Sequence, residues 1–172
     1  IALADGTVRT LTARSIVIAA GAAPVVPSLP GLAEVGYLTS DTLWDEFAKL
    51  DEIPKHLVVL GGGPIGCELA QSFARLGSAV TQVEMAPRIM AREDAEVSEL
   101  AANSLRADGV DQLTSHKALR CEMVDGEKVL VVEHAGVEKR IAFDQLLCAV
   151  GRTARLSGYG LEELGIPTHK TV

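Results

Sequence analysis

Residues 56–68 decide the fold of this chain, and they read HLVVLGGGPIGCE. The continuous apolar run that follows His56 is typical of a strand buried on both faces of a parallel sheet. Three glycines come next, at the spacing Gly61-x-Gly63-x-x-Gly66. Pro64 suits the first turn of a helix, because its missing N–H would have no partner there. The stretch therefore predicts a strand, a tight turn and a helix in immediate succession.

Each glycine of this turn has its own function in the dinucleotide-binding fingerprint. Gly61 permits the tight turn, Gly63 lets a diphosphate approach the backbone without meeting a Cβ, and Gly66 lets the helix pack close to the strand. The N-terminus of the helix offers free N–H groups and a partial positive charge to the diphosphate. The alternative is a glycine turn that serves only the fold.

An acidic residue lies where the fingerprint needs one. The helix predicted over residues 64–76 is followed by a strand over residues 79–83, which closes a βαβ unit, and Glu84 comes at its carboxyl end. Glu84 lies 21 residues beyond Gly63, close to the roughly 20 expected for the acid that binds the adenine ribose hydroxyls. An ordinary carboxylate at a strand end is the alternative for Glu84.

The residues around Glu84 bear on the choice between NAD and NADP. A carboxylate repels a 2′-phosphate, and Met85 and Ala86 are neutral, so the sequence favours NAD. Arg88 and Arg92 follow closely enough to leave NADP possible, although both arginines can also be explained as solvated surface charges.

The other elements are predicted from hydrophobic periodicity and turn residues. The pattern as a whole predicts an α/β fold with a Rossmann-like parallel sheet, flanked by helices, and an antiparallel three-stranded β-meander. In chain order the further predicted elements are a hairpin within residues 1–11, a buried strand at 15–19, a proline-rich linker at 22–31, a helix at 42–49 capped by Ser40 or Asp41, a helix at 94–107 capped by Asp94, a third parallel strand at 112–115, meander strands at 118–124, 129–134 and 137–142, and a last buried strand at 145–150.

Composition excludes several classes of function. The 172 residues carry a net charge of −7 and only 3% aromatic residues, which disfavours binding to nucleic acid or to anionic lipid. The apolar runs are too short to span a bilayer, and no signal peptide is visible. The three cysteines, Cys67, Cys121 and Cys148, are widely spaced, which suits a reducing compartment, so we expect a cytoplasmic protein. The chain begins without methionine inside a predicted hairpin, from which we expect a fragment.

The motifs together resemble the FAD-dependent pyridine nucleotide-disulfide oxidoreductases, with dihydrolipoamide dehydrogenase and mercuric reductase as the nearest branches. Residues 16–21 (IVIAAG) resemble the strand ending in Ala-Thr-Gly where the chain leaves the flavin domain. Residues 61–70 (GGGPIGCELA) resemble the nicotinamide-domain loop, and residues 73–78 and 83–90 also follow these enzymes. Residues 148–153 (CAVGRT) resemble the return to the flavin domain.

The resemblance implies a domain organisation and a function. Residues 1–40 would be a remnant of the FAD-binding domain with its linker, 41–150 the NAD(P)H-binding domain, and 151–172 the return segment. The whole protein would pass hydride from NADH to FAD and on to a cysteine pair that reduces the substrate, and relatives are homodimers. This piece contains no Cys-x4-Cys pair, so we expect it to be inactive alone, with no catalytic residue and no metal site of its own.

The resemblance also assigns residues to the cofactors by position. Ala20 replaces a usual threonine, and Pro64 stands where some relatives carry a tyrosine that gates the nicotinamide pocket. On spacing alone Glu68 is only the polar face of a helix. The implied contacts are Gly61, Gly62, Gly63, Pro64, Ile65 and Gly66 for the diphosphate and nicotinamide side, Glu68 near the nicotinamide and flavin, Glu84 for the ribose, Met85, Ala118 and Gly151 for the rest of the dinucleotide, and Ala20 and Gly21 for FAD.

Two other functions stay open on the residues. A non-enzymatic nucleotide-sensing module would bind NAD(H) without an encoded flavin domain. A methyltransferase would use a glycine loop and an acid at the next strand end to hold S-adenosylmethionine.

Overall fold

The computed structural model describes residues 2–168, which form a parallel five-stranded sheet, an antiparallel three-stranded sheet and a two-stranded ribbon. This architecture confirms the predicted α/β fold with a meander. No helix within these residues is both long and apolar enough to cross a membrane. The elements are β1 (Ala22–Pro24), α1 (Leu32–Val35), β2 (Leu38–Thr39), α2 (Leu43–Phe47), β3 (His56–Leu60), α3 (Pro64–Arg75), β4 (Ala79–Val83), α4 (Ala95–Ala107), β5 (Asp111–Leu113), β6 (Lys117–Val124), β7 (Glu127–His134), β8 (Val137–Phe143), β9 (Gln145–Cys148) and β10 (Arg152–Ala154).

The parallel sheet has the strand order β2-β9-β3-β4-β5, with the glycine-loop strand β3 at its centre. From β3 the chain adds β4 and β5 on one side, and β9 and β2 lie on the other. Since every pairing is parallel, the carboxyl ends of the strands meet at one edge of the sheet. A ligand site in such a sheet is expected at this edge, where the strand order reverses.

The alternating side chains of β3 pack into two separate cores. Leu57 and Val59 belong to the core between the sheet and the helices α3 and α4. Val58 and Leu60 belong to the core between the sheet and the meander. Burial on both faces is the physical reason that this strand is apolar at every position after His56, as the sequence predicts.

Helix α3 begins at Pro64, with Gly63 at the N-cap, and ends at Arg75. Its buried residues are Gly66, Cys67, Ala70 and Phe73. Leu76, the last residue of the helix predicted over residues 64–76, is the C-cap residue beyond the last full turn and is 63% exposed.

The buried strand predicted at residues 15–19 is wrong. These residues have no regular secondary structure, and the side chains of Ile16 and Val17 are 83% and 87% exposed. An apolar run becomes a buried strand only where neighbouring strands satisfy its backbone groups. Among the residues that the structure describes, no strand pairs with this segment.

Part of the predicted linker is also regular structure. Ala22–Pro24 forms β1 and pairs antiparallel with β10, and Pro24 is tolerated because a two-stranded ribbon consists of edge strands. The elements α1 and β2 are not predicted from the sequence, and both join the central packing: Leu32 lies in the meander-side core and Leu38 in the helix-side core.

The predicted caps of α2 are wrong, whereas Asp94 is confirmed at the N-cap of α4. Helix α2 begins after Thr42 rather than after Ser40 or Asp41. Asp94 holds the N-cap position of α4 but makes no side-chain cap bond, and its backbone carbonyl accepts from Ser98 instead. The predicted N-terminal hairpin is reduced to a single bridge between Ala2 and Val8.

Candidate functional site

The glycine loop occupies the carboxyl end of β3, between the ends of β4 and β9. The Gly61 N–H donates to the Val83 carbonyl oxygen at 2.8 Å, and the Ala149 N–H donates to the Leu60 carbonyl oxygen at 2.8 Å. These bonds continue the sheet pairing just past β3 and hold the loop to both neighbouring strands. The loop therefore lies at the reversal point of the strand order.

Gly61 and Gly66 are required by the fold itself. Gly61 has φ +113°, and a Cβ there would overlap the Ala149 carbonyl oxygen. A Cβ on Gly66 would overlap the Gly61 carbonyl oxygen, so helix α3 packs against the loop only without a side chain at this position. At both positions, contacts inside the protein allow only glycine.

Gly63 is different, because nothing in the protein requires glycine there. Its backbone is extended (φ −76°, ψ 179°), a conformation open to any residue, and a Cβ would meet no atom within 4 Å. The first helical bond of α3 runs from the Cys67 N–H to the Gly63 carbonyl oxygen at 2.9 Å. The N–H groups of Ile65 and Gly66 precede that bond and have no partner in the helix. Open space and free amides coincide at this helix end.

The Glu84 carboxylate is held against the loop by two backbone amides. Its Oε2 accepts from the Gly62 N–H at 2.5 Å, and its Oε1 accepts from the Ala86 N–H at 2.7 Å. Each carboxylate oxygen has a further lone pair, so the half-buried group can still accept hydrogen bonds from two hydroxyls. This arrangement places a fixed negative charge beside the glycine loop.

Two buried side chains beneath the loop were not found by sequence reasoning as site residues. The Gln82 Nε2 donates to the Gly61 carbonyl oxygen at 3.1 Å, and the Cys67 thiol donates to the Gly62 carbonyl oxygen at 3.4 Å. Burial raises the pKa of Cys67, so it stays a neutral donor. The Gln82 side chain is 1% exposed and its Oε1 has no partner. The one signal in the sequence for this role was the polar residue Gln82 near the end of the buried strand β4.

A histidine pair borders the site on the β5 side. The backbone N–H of His116 donates to the backbone carbonyl oxygen of Glu84 at 3.0 Å. The His116 and His134 rings stack with their centroids 4.7 Å apart. Their Nδ1 atoms contact the carbonyl oxygens of Thr114 and Ser115 at 2.7 and 2.8 Å. No spacing in the sequence indicated that these two rings, 18 residues apart, would meet.

An arginine side chain bridges backbone carbonyl groups within the loop that follows Glu84. The Arg88 guanidinium donates to the carbonyl oxygens of Ala91 and Glu93 at 3.2 and 2.9 Å. Met85, which follows Glu84 directly, is exposed. Arg88 is therefore engaged with the backbone of its own loop.

The remaining sequence-predicted residues lie in different places. Gly151 follows β9, at the same sheet edge as the glycine loop, and has φ +135°. Ala118 is half-buried in β6, packed against the meander-side core. Glu68 is exposed on α3, whereas Ala20 and Gly21 lie outside the parallel sheet, directly before β1. The structure thus gathers Gly61–Gly66, Glu84 and Gly151 at one edge and places Ala20 and Gly21 on the ribbon.

Within residues 2–168, no group of three or more His, Cys, Asp or Glu side chains is arranged to hold a metal ion. The N-terminus of α3 offers backbone amides, and Glu84 offers a carboxylate, to a ligand. This arrangement is suited to a molecule that carries an anionic group and, next to it, vicinal hydroxyls.

Comparison with known proteins gives a consistent set of relatives. The family model described as pyridine nucleotide-disulphide oxidoreductase matches residues 2–172. A mercuric reductase of Streptomyces lividans is 39% identical over 169 residues, which are 98% of this chain and 34% of the reductase. A dihydrolipoyl dehydrogenase of Rhizobium etli is 38% identical over 164 residues, which are 94% of this chain and 33% of the dehydrogenase.

A solved structure has the same fold. The HOCl-induced flavoprotein disulfide reductase RclA from Escherichia coli aligns with a TM-score of 0.74 at 36% identity, covering 87% of this chain and 33% of RclA. The chain spans about a third of the length of the curated relatives that it matches.

Proposed function

This chain belongs to the pyridine nucleotide-disulphide oxidoreductase family, and we propose that it binds NADH as the hydride donor of a FAD-dependent disulfide oxidoreductase. Membership of the family confirms the resemblance that the motifs indicate. We assign the dinucleotide to residues 41–150, with residues 1–40 and 151–172 belonging to the flavin side of a longer protein. The alternative of a methyltransferase does not agree with this family.

The observation that carries the proposal is the open space above Gly63. Gly61 and Gly66 are explained by contacts within the protein, whereas the glycine at position 63 has no explanation inside the fold. A diphosphate resting on the backbone at the N-terminus of α3 would supply that explanation, because any Cβ there would meet it. The free N–H groups of Ile65 and Gly66 would then donate to its oxygens.

The second part of the ligand is the ribose next to the adenine. The Glu84 carboxylate is oriented by the Gly62 and Ala86 amides and accepts from the two ribose hydroxyls. Its negative charge would repel a 2′-phosphate. Arg88, the first arginine after Glu84 in the sequence, donates to carbonyl oxygens of its own loop instead. These two observations favour NADH over NADPH.

The nicotinamide supplies a hydride when it is bound, and the chain binds and orients it. On this proposal Pro64 and Ile65 line the nicotinamide side of the dinucleotide, and Glu68 lies near the nicotinamide and the flavin. Gly151 and Met85 contact the rest of the dinucleotide, with Met85 next to Glu84. Ala20 and Gly21 are the candidates for contact with FAD, and a Cβ on Gly21 would meet no atom within 4 Å, which leaves room for a close approach. Ala118 would contact the adenine side through its backbone.

The substrate of the longer protein is proposed only as a class. Relatives carry the names mercuric reductase and dihydrolipoyl dehydrogenase, and we propose a disulfide, which is reduced to its dithiol, or a thiol-bound metal ion as the acceptor. The three cysteines of this chain are all buried, so we expect no disulfide reduction by this segment alone. A homodimeric, cytoplasmic parent protein is part of the same proposal.

Titration calorimetry of the chain with NADH, NADPH and S-adenosylmethionine tests the proposal. We expect NADH to bind, NADPH to bind at least about tenfold more weakly because of Glu84, and S-adenosylmethionine not to bind. Binding of S-adenosylmethionine without NADH would overturn the proposal. A longer protein that binds NADH but carries no flavin would favour a nucleotide-sensing module instead.

A further inference from the structure

The ribbon of β1 and β10 joins the flanking residues to the dinucleotide-binding unit. Its register pairs Ala22 with Ala154 and Pro24 with Arg152. Two more bonds extend it: the Val25 N–H donates to the Gly151 carbonyl oxygen at 2.9 Å, and the Arg155 N–H donates to the Gly21 carbonyl oxygen at 3.0 Å. The chain enters and leaves the parallel sheet through this ribbon, so the angle of the ribbon determines where the flanking residues lie.

One guanidinium connects the ribbon to the edge of the parallel sheet. Arg152 donates to the Ala22 carbonyl oxygen within the ribbon at 2.6 Å. The same side chain donates to the Ser40 hydroxyl at 2.7 Å and to the Asp41 carboxylate at 3.0 Å. Ser40 and Asp41 follow the edge strand β2 and precede α2, so they belong to the central unit. The Asp41 carboxylate also pairs with Arg155 at 3.6 Å.

Gly151, the residue before Arg152, needs a neighbouring contact of this kind to hold its backbone conformation. Gly151 connects β9 to β10 with φ +135°, in a backbone region that side chains disfavour, and a Cβ there would meet no atom within 4 Å. Its carbonyl oxygen accepts from the Val25 N–H within the ribbon, but the space on the Cβ side of its Cα is open, and the residue leads directly from the sheet edge that carries the glycine loop. A change of its dihedral angles would swing the ribbon relative to that loop.

We propose that Arg152, through Asp41 and Ser40, is a positioning residue that fixes the angle between the ribbon and the dinucleotide-binding unit. The inference rests on the proposed function, because the angle matters only if the flanking residues bring a hydride acceptor to the bound nicotinamide. Reactions of this kind tolerate little displacement, since a shift of about 1 Å can cost about 100-fold in rate.

The exposure of the pair argues for positioning rather than for stability. The side chains of Arg152 and Asp41 are 33% and 38% exposed, and ion pairs in such surroundings contribute little to the free energy of unfolding. The planar fork of arginine, however, can donate to several acceptors at once with defined geometry. A lysine has one ammonium group and cannot span the Ala22 carbonyl, Ser40 and Asp41 in the same way.

The test uses the full-length protein and the variants Arg152→Gln, Arg152→Lys and Asp41→Asn. Hydrogen exchange followed by mass spectrometry reports on the ribbon directly, in peptides covering residues 21–27 and 150–156. We expect exchange in these peptides to become about tenfold faster in Arg152→Gln and Asp41→Asn, with residues 56–62 of the central strand unchanged. Arg152→Lys should recover only part of the protection. Arg75→Gln, which breaks an Arg–Asp pair between α3 and α4, is the matched control.

A kinetic measurement separates positioning from binding. In Arg152→Gln the affinity for NADH should stay within about twofold, while flavin reduction at saturating NADH slows about tenfold. Unchanged ribbon exchange, an equal effect in Arg75→Gln, or full recovery in Arg152→Lys would overturn the inference. A wild-type protein that binds no NADH would overturn the proposed function, whereas the exchange experiment would still decide whether the ribbon is held by Arg152.

Discussion

At the scale of single residues, the three glycines of the Gly61-x-Gly63-x-x-Gly66 spacing differ in their surroundings. At positions 61 and 66, a backbone carbonyl oxygen of the protein leaves no room for a side chain. Gly63 faces open space in a conformation that any residue can adopt. Substitution can therefore separate the contribution of the loop to folding from its contribution to binding.

Gly63→Val should leave the protein folded and abolish NADH binding, with at least about a 100-fold loss of affinity, because the side chain fills the space above the helix N-terminus. Gly61→Ala should instead lower the free energy of unfolding, since its Cβ would overlap the Ala149 carbonyl oxygen. Urea unfolding and calorimetry on both variants check this contrast. Retained affinity in Gly63→Val would show that the loop is not the binding site.

Glu84→Ala should weaken NADH about 10- to 100-fold, because hydrogen bonds to a charged acceptor contribute about 1.5–3 kcal/mol. Glu84→Gln should be intermediate, since the amide keeps one oxygen for a hydroxyl or a loop N–H. Glu99→Ala, at an exposed position on α4, is the control for the loss of a negative charge. Equal affinities in Glu84→Ala and the wild type would contradict the proposed ribose site.

At the scale of elements, the outer face of the meander carries a charged ladder. Arg120 on β6 pairs with Glu122 at 2.6 Å and with Glu138 on β8 at 2.9 Å, and Glu122 also pairs with Arg140 at 2.5 Å. The hydrogen bonds from these arginines lower the pKa values of Glu122 and Glu138. The inner face of the same strands packs on the sheet. On the outer face, Val131 is paired with Arg120 and Arg140 and is fully buried, so the ladder flanks an apolar side chain at the centre of this face.

This ladder predicts a pH dependence. A carboxylate whose pKa is lowered by folding stabilises the native state above its ordinary value of 4.5, and this contribution disappears as the pH falls through the lowered value. Arg120→Gln should therefore show a smaller loss of stability on acidification than the wild type. Urea midpoints at pH 7 and at acidic pH measure the difference. The control is Lys49→Gln, which breaks the pair between Glu46 of α2 and Lys49, just beyond the end of this helix. Parallel acid profiles for Arg120→Gln and the wild type would show that the ladder does not contribute.

At the scale of the whole molecule, the two cores enclose all three thiols. Cys67 lies in the helix-side core, and Cys121 and Cys148 lie in the meander-side core. Burial raises the pKa of Cys121 to about 11 and that of Cys148 to about 12. The thiols are therefore neutral, packed side chains in the folded protein.

The native protein should consequently react slowly with thiol reagents at pH 8, and all three cysteines should react at once in denaturant.

The raised pKa values of the buried thiols also predict that the protein loses stability in alkali. A thiol whose pKa is raised by folding favours the native state below its ordinary value of 9.0, and this contribution declines as the pH rises through the raised value. Rapid labelling of Cys148 in the native protein would contradict the packing described here.

The central βαβ unit could be predicted because its signals are local. The apolar run of β3, the glycine spacing and the helical periodicity of α3 each lie within a dozen residues, and Glu84 follows from the length of one helix and one strand. The segment at residues 15–19 could not be predicted in the same way. Its apolar residues do indicate a strand, but a strand needs a partner, and the choice of partner is not local.

The candidate site likewise combines features that depend on local sequence with features that depend on contacts between distant segments. The sequence alone determined which residues form the glycine loop and which carboxylate follows it, because both depend on short-range backbone geometry. Only the tertiary structure brought Gln82 beneath the loop, stacked His116 on His134, and joined Arg152 to Asp41 across 111 residues. Contacts between distant segments depend on how sheets and helices pack, and packing is a property of the whole folded chain rather than of any stretch within it.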